Sequence, residues 1–323
     1  IIFGKKIAGY LLHNKQQKDL GVVLRNIGGA YYLMGDYPSA LKYYQYAGGI
    51  FNKINDKTEG AALNITLGQF YSKQGGCNMA KDYFIAARNQ FILNKDAGGL
   101  AMANNFLGNY FEDGLSNLDS ALYYYQQTLD IYQHQKKKDK IALSYSYDFI
   151  SGILAKKGEY NQSLQLLQQA LRLRKEVRDS LAIAVNINNI GEVYKMKGDW
   201  NISEKYFKQA LLIAPRVDKR LEAHIYDMLS QVEKEKEHYQ SAYHYLLLEN
   251  FLQDSITSES RDKQVAEMQV KYETQKKEAE IAALKQQHKI SDLQLAKQNL
   301  LLQKRSYHVI AVTGAMILLI MIA

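Results

Sequence analysis

One cysteine, Cys77, stands among the 323 residues, so no intrachain disulfide can form, and cysteine usage leaves the redox compartment open. The seven histidines are scattered, and no pair has metal-ligand spacing with a carboxylate or cysteine. Gly48-Gly49, Gly75-Gly76 and Gly98-Gly99 lack a following Gly-Lys-Ser/Thr and a preceding strand, so they are not phosphate loops. Carboxylate pairs such as Glu112-Asp113 read as ordinary helix-end charges. No helix-turn-helix, zinc pattern or aromatic-basic interleaving points to nucleic acid. The net charge of +8 comes from 41 basic and 33 acidic residues, a mixed surface, and Lys136-Lys137-Lys138 reads as a solvated connection. These absences leave no catalytic residue, no metal site and no cofactor to expect. Cys77 reads as a packing residue.

What the chain does contain is repetition. Gly28-x-x-Tyr31-x-x-x-Gly35 recurs as Gly68-x-x-Tyr71-x-x-x-Gly75 and as Gly191-x-x-Tyr194-x-x-x-Gly198. Each is followed by a small residue and an aromatic pair: Ala40 with Tyr43-Tyr44, Ala80 with Tyr83-Phe84, Ser203 with Tyr206-Phe207. A further small residue closes each unit at Ala47, Ala87 and Ala210. Gly28 to Gly68 and Ala40 to Ala80 are both steps of 40 residues, a period that signals stacked helical hairpins.

The residue types explain the unit. Gly28, Gly68, Gly108 and Gly191 remove a side chain from the first helix, at about 1 kcal/mol of helix propensity each, so that the second helix can approach. Gly35, Gly75, Gly158 and Gly198 fall where the first helix ends, a position that favours a left-handed cap. Pro38 sits just inside the second helix, and Pro215 just past the end of another. The 25 tyrosines and 10 phenylalanines are mostly absorbed by this packing.

Those motifs resemble a tetratricopeptide repeat (TPR) array. Gly191, Tyr194, Trp200, Tyr206, Ala210 and Pro215 give the fullest match. The third unit keeps Gly108, Phe111, Ala121, Tyr125 and Thr128 with one extra residue in its turn, and the fourth has Ser151, Leu154, Gly158, Tyr160, Ser163, Leu167 and Ala170. The sixth, around Ser230, Tyr239, Ala242 and Leu246, carries Glu237 in place of the turn glycine, as a degenerate end unit would. The resemblance implies an all-α, right-handed superhelical solenoid of about six hairpins over residues 1–250, its first unit incomplete because Ala8 falls inside an earlier second helix. Units near 40 residues imply longer helices or longer connections than the family's usual 34, and Asp56, Asp96, Asp139 and Asp179 recur in the connections.

Residues 259–306 hold no glycine or proline and are rich in Lys, Glu, Gln, Ala and Leu, which reads as one long helix over 254–306. Val265, Met268, Tyr272, Ala279 and Ala282 keep one heptad seam, and Ile281, Leu284, His288, Leu295 and Leu302 a second, offset phase. The pattern fits a coiled coil with a register shift, and with it a homodimer; a single charged helix is the alternative. From Val309 to Ala323 the chain carries no charge, behind Lys304, Arg305, Tyr307 and His308 as interfacial anchors. Fifteen such residues fall short of the roughly 20 that span a bilayer, so 307–323 reads as the start of a transmembrane helix.

The family binds extended peptides or proteins along the first helices of its hairpins. Carried over unit by unit, its groove positions are Arg25 and Tyr32, Gln69 and Lys73, Asn105 and Asn109, Asp148, then Asn188, Glu192 and Lys195. Gly29 and Gln69 stand where its carboxylate clamp uses asparagine or lysine, which removes that clamp from the expectation. The order of repeats, coil and apolar segment also resembles bacterial membrane-anchored TPR signalling proteins. It implies a protein- or peptide-binding input module in the inner membrane, repeats outside the cytoplasm, coupled to a histidine kinase beyond this chain. Lys304 and Arg305 favour the opposite orientation. The alternatives are a membrane-tethered scaffold for complex assembly and an input to a helix-turn-helix regulator.

Overall fold

The computed structural model describes every residue except Leu115, Lys136, Lys137 and Ala323, and every side chain except those of these four, Cys77, 259–272, 274–276, Leu295 and 305–322. The described residues are helical throughout, with turns between. In chain order the helices are α1 (Ile2–His13), α2 (Gln17–Leu33), α3 (Tyr37–Lys53), α4 (Lys57–Lys73), α5 (Cys77–Leu93), α6 (Ala97–Asn109) and α7 (Leu118–Gln133). Then follow α8 (Lys140–Lys156), α9 (Tyr160–Val177), α10 (Ser180–Lys197), α11 (Trp200–Leu211), the short α12 (Ala214–Val217), α13 (Lys219–Glu235) and α14 (Tyr239–Ile322). They form a TPR-like solenoid in which α2/α3, α4/α5, α6/α7, α8/α9, α10/α11 and α13 with the start of α14 are the six hairpins, the last joined by Ser230 to the Ala242 carbonyl and Tyr226 on Tyr245; α1 packs ahead of them on α2. The chain divides into two compact units, Ile1–Leu252 and Gln253–Ala323.

The 40-residue period is an arithmetic consequence of helix length. The helices α2, α3, α4 and α5 have 17 residues each and are joined by three-residue turns, 34–36, 54–56 and 74–76. The connections between hairpins are therefore as short as the turns within them; the extra residues lie in the helices. All these turns share one geometry. The middle residue is left-handed, whether it is Gly35 (φ 77°), Asn55 (φ 54°), Gly75 (φ 75°), Lys95 (φ 55°), Gly158 (φ 82°) or Glu237 (φ 61°). The third residue sends its N–H back to a carbonyl five residues earlier, as in Asp36 to Tyr31 (3.0 Å) and Asp56 to Phe51 (2.9 Å), a Schellman closure of the helix end.

The recurring aspartates are helix caps. Oδ1 of Asp36, Asp56, Asp96, Asp139 and Asp179 accepts an N–H three residues on at 2.9–3.1 Å, and Asn117 does the same for α7. Each satisfies a first-turn donor that would otherwise be unpaired. In the third hairpin the extra turn residue is taken up by a π turn over Tyr110–Gly114. Pro215 lies in the first turn of α12, so it opens a short helix as well as following one.

The core is set by glycine against aromatic ring. A Cβ on Gly28, Gly68, Gly108 or Gly191 would stand 2.6, 2.4, 2.3 or 2.7 Å from ring atoms of Tyr44, Phe84, Tyr125 or Phe207, far inside van der Waals contact. Beside each contact a second pair of rings stacks across the hairpin: Tyr31 on Tyr43, Tyr71 on Tyr83, Phe111 on Tyr124, Tyr194 on Tyr206, with centroids 5.4–5.6 Å apart. Ala40, Ala47, Ala80, Ala87, Ala121, Ala170 and Ala210 are fully buried where helices meet.

In the second unit α14 continues as an unbroken helix. Its described apolar side chains are exposed, Ile281 at 52 %, Leu284 at 65 % and Leu302 at 61 %. Val265, Met268, Tyr272 and Leu295 of the expected seams lie outside the described side chains. Among the described residues no helix is long and apolar enough to cross a membrane, and the side chains of the apolar segment 309–323 lie outside those described.

Candidate functional site: the face of the first helices

Successive first helices touch one another, α2 with α4, α4 with α6, α8 with α10 and α10 with α13, whereas among the described residues no pair of second helices is as close. The first helices therefore line the tighter, inner face of the array, the face on which the groove positions were expected.

The structure brings those positions into two kinds of surroundings. Many are tied to the neighbouring hairpin. Arg25 Nη1 donates to Glu59 Oε2 of α4 at 2.8 Å. Asn109 Oδ1 takes the Tyr125 hydroxyl at 2.5 Å, and that hydroxyl also lies 2.9 Å from Glu112, itself bound by Lys156 at 2.6 Å. Asp148 pairs with the buried Arg174 and accepts from Asn186 of α10 at 3.2 Å. Burial pushes the Asp148 carboxyl above its usual range, and the opposing pull of Arg174 and Asn186 offsets only part of that. Asn188 donates to Glu192 at 2.7 Å, Glu192 meets His224 of α13 at 2.8 Å, and Lys195 donates to Gln231 at 2.6 Å. Burial raises the Glu192 carboxyl, but His224, Asn188 and Lys195 outweigh it and leave it below the usual range. The bond to Glu192 holds the His224 imidazole above its ordinary value against desolvation.

Others face outward. Gln69 and Lys73 are exposed on α4. Asn105 is half-buried on α6, and its Oδ1 is buried with no hydrogen-bond partner. Arg25, Tyr32 and Gln69 share one cavity of about 480 Å³ between α2 and α4, with Asn26, Tyr44 and Phe70 among its other walls. Burial, then the neighbouring Tyr32, pushes the Tyr44 phenol up to about 12, so it stays a neutral donor. Asn26 and the partners Glu59, His224 and Gln231 were not singled out in the sequence, and Tyr44 was read only as a packing ring. The i,i+4 step from Arg25 to Gly29 was the available signal for the cavity, because it leaves a gap on the helix surface. Among the described residues no three metal-ligating side chains converge.

Residues 140–216, which hold the fourth and fifth hairpins, match the tetratricopeptide repeat family. No curated protein matches the chain. Among solved structures, a Signal Transduction ATPase with Numerous Domains (STAND) protein with a tetratricopeptide repeat sensor from Pyrococcus horikoshii is similar at 16 % identity and TM-score 0.62, over 75 % of this chain and 38 % of that one. The apo form of RapI is similar at 17 % identity and TM-score 0.61, over 75 % of this chain and 69 % of RapI. A Rap protein complexed with Competence and Sporulation Factor follows at 11 % identity and TM-score 0.51, over 74 % and 76 %. At such identities the likeness defines the architecture, a TPR-like helical solenoid.

Proposed function

We propose that the array is the protein- or peptide-binding input module of a membrane-anchored signal transduction protein, with a histidine kinase as its output beyond this chain. The observation that carries the reading is the inner face itself: first helices on which Asn26, Gln69 and Lys73 are exposed while Glu59 and Glu192 are spent on joining hairpins. Exposed amides and a lysine suit an extended backbone, which offers both donors and acceptors. The STAND protein with its tetratricopeptide repeat sensor and the Rap protein complexed with Competence and Sporulation Factor lend the reading support. The exposed Ile281, Leu284 and Leu302 support a homodimer seam along α14, and the apolar stretch 309–323 supports the membrane anchor. A ligand can act through such a helix only by binding two arrangements of it unequally.

A photo-cross-linking residue at Gln69, compared with the same residue at the exposed Met79 on α5, tests the binding reading in cells. Adducts confined to position 69 are the expected result. Equal labelling at both positions, or none at 69, rejects a groove receptor.

A further inference from the structure

Four hairpins place a ring on the glycine of their first helix, and the four rings are not chemically alike. Phe84 and Phe207 carry no hydroxyl. Tyr125 carries one, and Asn109 (2.5 Å) and Glu112 (2.9 Å) satisfy it. Tyr44 carries one too, but the positions that correspond to Asn109 and Glu112 are Gly29 and Tyr32, which give it no partner. Tyr44 is only 2 % exposed as a residue, and among the described residues its hydroxyl has no protein partner, yet the oxygen itself is not sealed off, so the access it keeps is to the cavity it lines. Phenylalanine at the same place in two sister hairpins shows that packing does not require the hydroxyl.

The hydroxyl opens on the 480 Å³ cavity between α2 and α4. Gly29 keeps the way clear, since a Cβ there would meet nothing nearer than Tyr44 Oη at 3.9 Å. The cavity is within the range of about 300–1,000 Å³ typical of ligand sites. Its chemistry is neutral: Glu59 already holds Arg25 at 2.8 Å, Asn26 and Gln69 offer amides, and Tyr32 and Phe70 offer aromatic wall. We infer that this cavity is a subsite for one residue of a bound peptide, with an apolar side chain against Tyr32 and Phe70 and the peptide carbonyl accepting the Tyr44 hydroxyl. The inference rests on the peptide-binding reading and adds to it the position and class of one anchor.

The probe is N-acetyl-leucinamide, which has one apolar side chain and two amides, titrated into the 15N-labelled chain. Signals of Gly29, Gln69 and Phe70 are expected to move. Tyr44→Phe removes one buried hydrogen bond and weakens the probe about 2- to 12-fold with no loss of Tm. Gly29→Asn supplies the amide that Asn109 gives Tyr125, so it raises Tm and abolishes probe binding. Unchanged affinity in both variants overturns the subsite, and so does displacement of the probe by acetate at equal concentration, which would mark a carboxylate site. If Gly29→Asn cross-links at Gln69 as well as the parent chain does, the subsite falls and the peptide-binding reading stands. If the probe binds in a Tyr44-dependent way but Gln69 never cross-links, the subsite stands and the reading falls.

Discussion

The junction between hairpins 1 and 2 and the junction between hairpins 4 and 5 use the same backbone and opposite chemistry. At the first, Phe70 is ringed by Tyr32, Tyr37, Tyr44 and Tyr71 with centroids 5.3–6.2 Å away, and a cavity remains beside them. At the second, Arg174 is 2 % exposed and is held by Asp148, by the Ala182 carbonyl at 3.0 Å and by the Tyr145 ring at 5.3 Å. Arg174 stands four residues after the closing Ala170, as Phe51 stands four after Ala47, so a guanidinium takes the place of a buried ring in the repeat. The difference teaches that the repeat fixes where helices run, while the side chains at each junction decide whether the inner face is closed or open to a ligand.

The largest expected effect breaks the polar junction. Arg174→Ala leaves Asp148 buried without its partner and should cost about 3–5 kcal/mol, whereas Asp148→Leu with Arg174→Met together should be near neutral or stabilising. Urea melts of the two variants check both statements, and equal destabilisation would show that geometry, not charge, holds this junction. Gly68→Ala tests the aromatic end. Its Cβ would lie 2.4 Å from Phe84, a clash of about 1–3 kcal/mol against about 1 kcal/mol regained in helix propensity, so Tm should fall modestly. Asp179→Ala removes the cap that takes the Ala182 N–H at 2.9 Å and should cost about 1 kcal/mol at the same polar junction.

The smallest effect concerns pH. His224 is raised in the folded state, so the stability it contributes is complete below its ordinary pKa of 6.5 and is lost as pH rises through the folded value. The chain should therefore melt slightly higher at pH 6 than at pH 8, by a surface-pair increment under about 1 kcal/mol, and His224→Gln should remove that part of the difference. The aromatic junction contains no such group, so a pH response mapped there would break the contrast.

Much of the array was legible because its signals are local. A glycine seven residues after another, with a tyrosine between, told both where the first helix ends and which face meets the next helix. Gly35, Gly75, Gly158 and Gly198 are all left-handed, as a helix-ending glycine implies. Less legible were the turns between hairpins, because Asn55, Lys95 and Arg178 adopt the same left-handed conformation without being glycine. The aspartates that follow announced them, and their role as caps could have been read from their place before a helical run. The inner face was the hardest to read. Spacing put Arg25, Asp148 and Glu192 on it, but whether each meets a ligand or the next hairpin depends on the side chain 34, 38 or 32 residues away.

The order of residues alone settled the repeat, the hairpin turns and the pairing of glycine with ring, since each depends on contacts within one unit of fixed length. Only tertiary structure decided that Arg174 is buried with Asp148 and that Tyr44 keeps a free hydroxyl over a cavity while Tyr125 does not. Both outcomes turn on which neighbours the stacking of hairpins delivers, and a side chain's partner across a junction is a matter of distance in space.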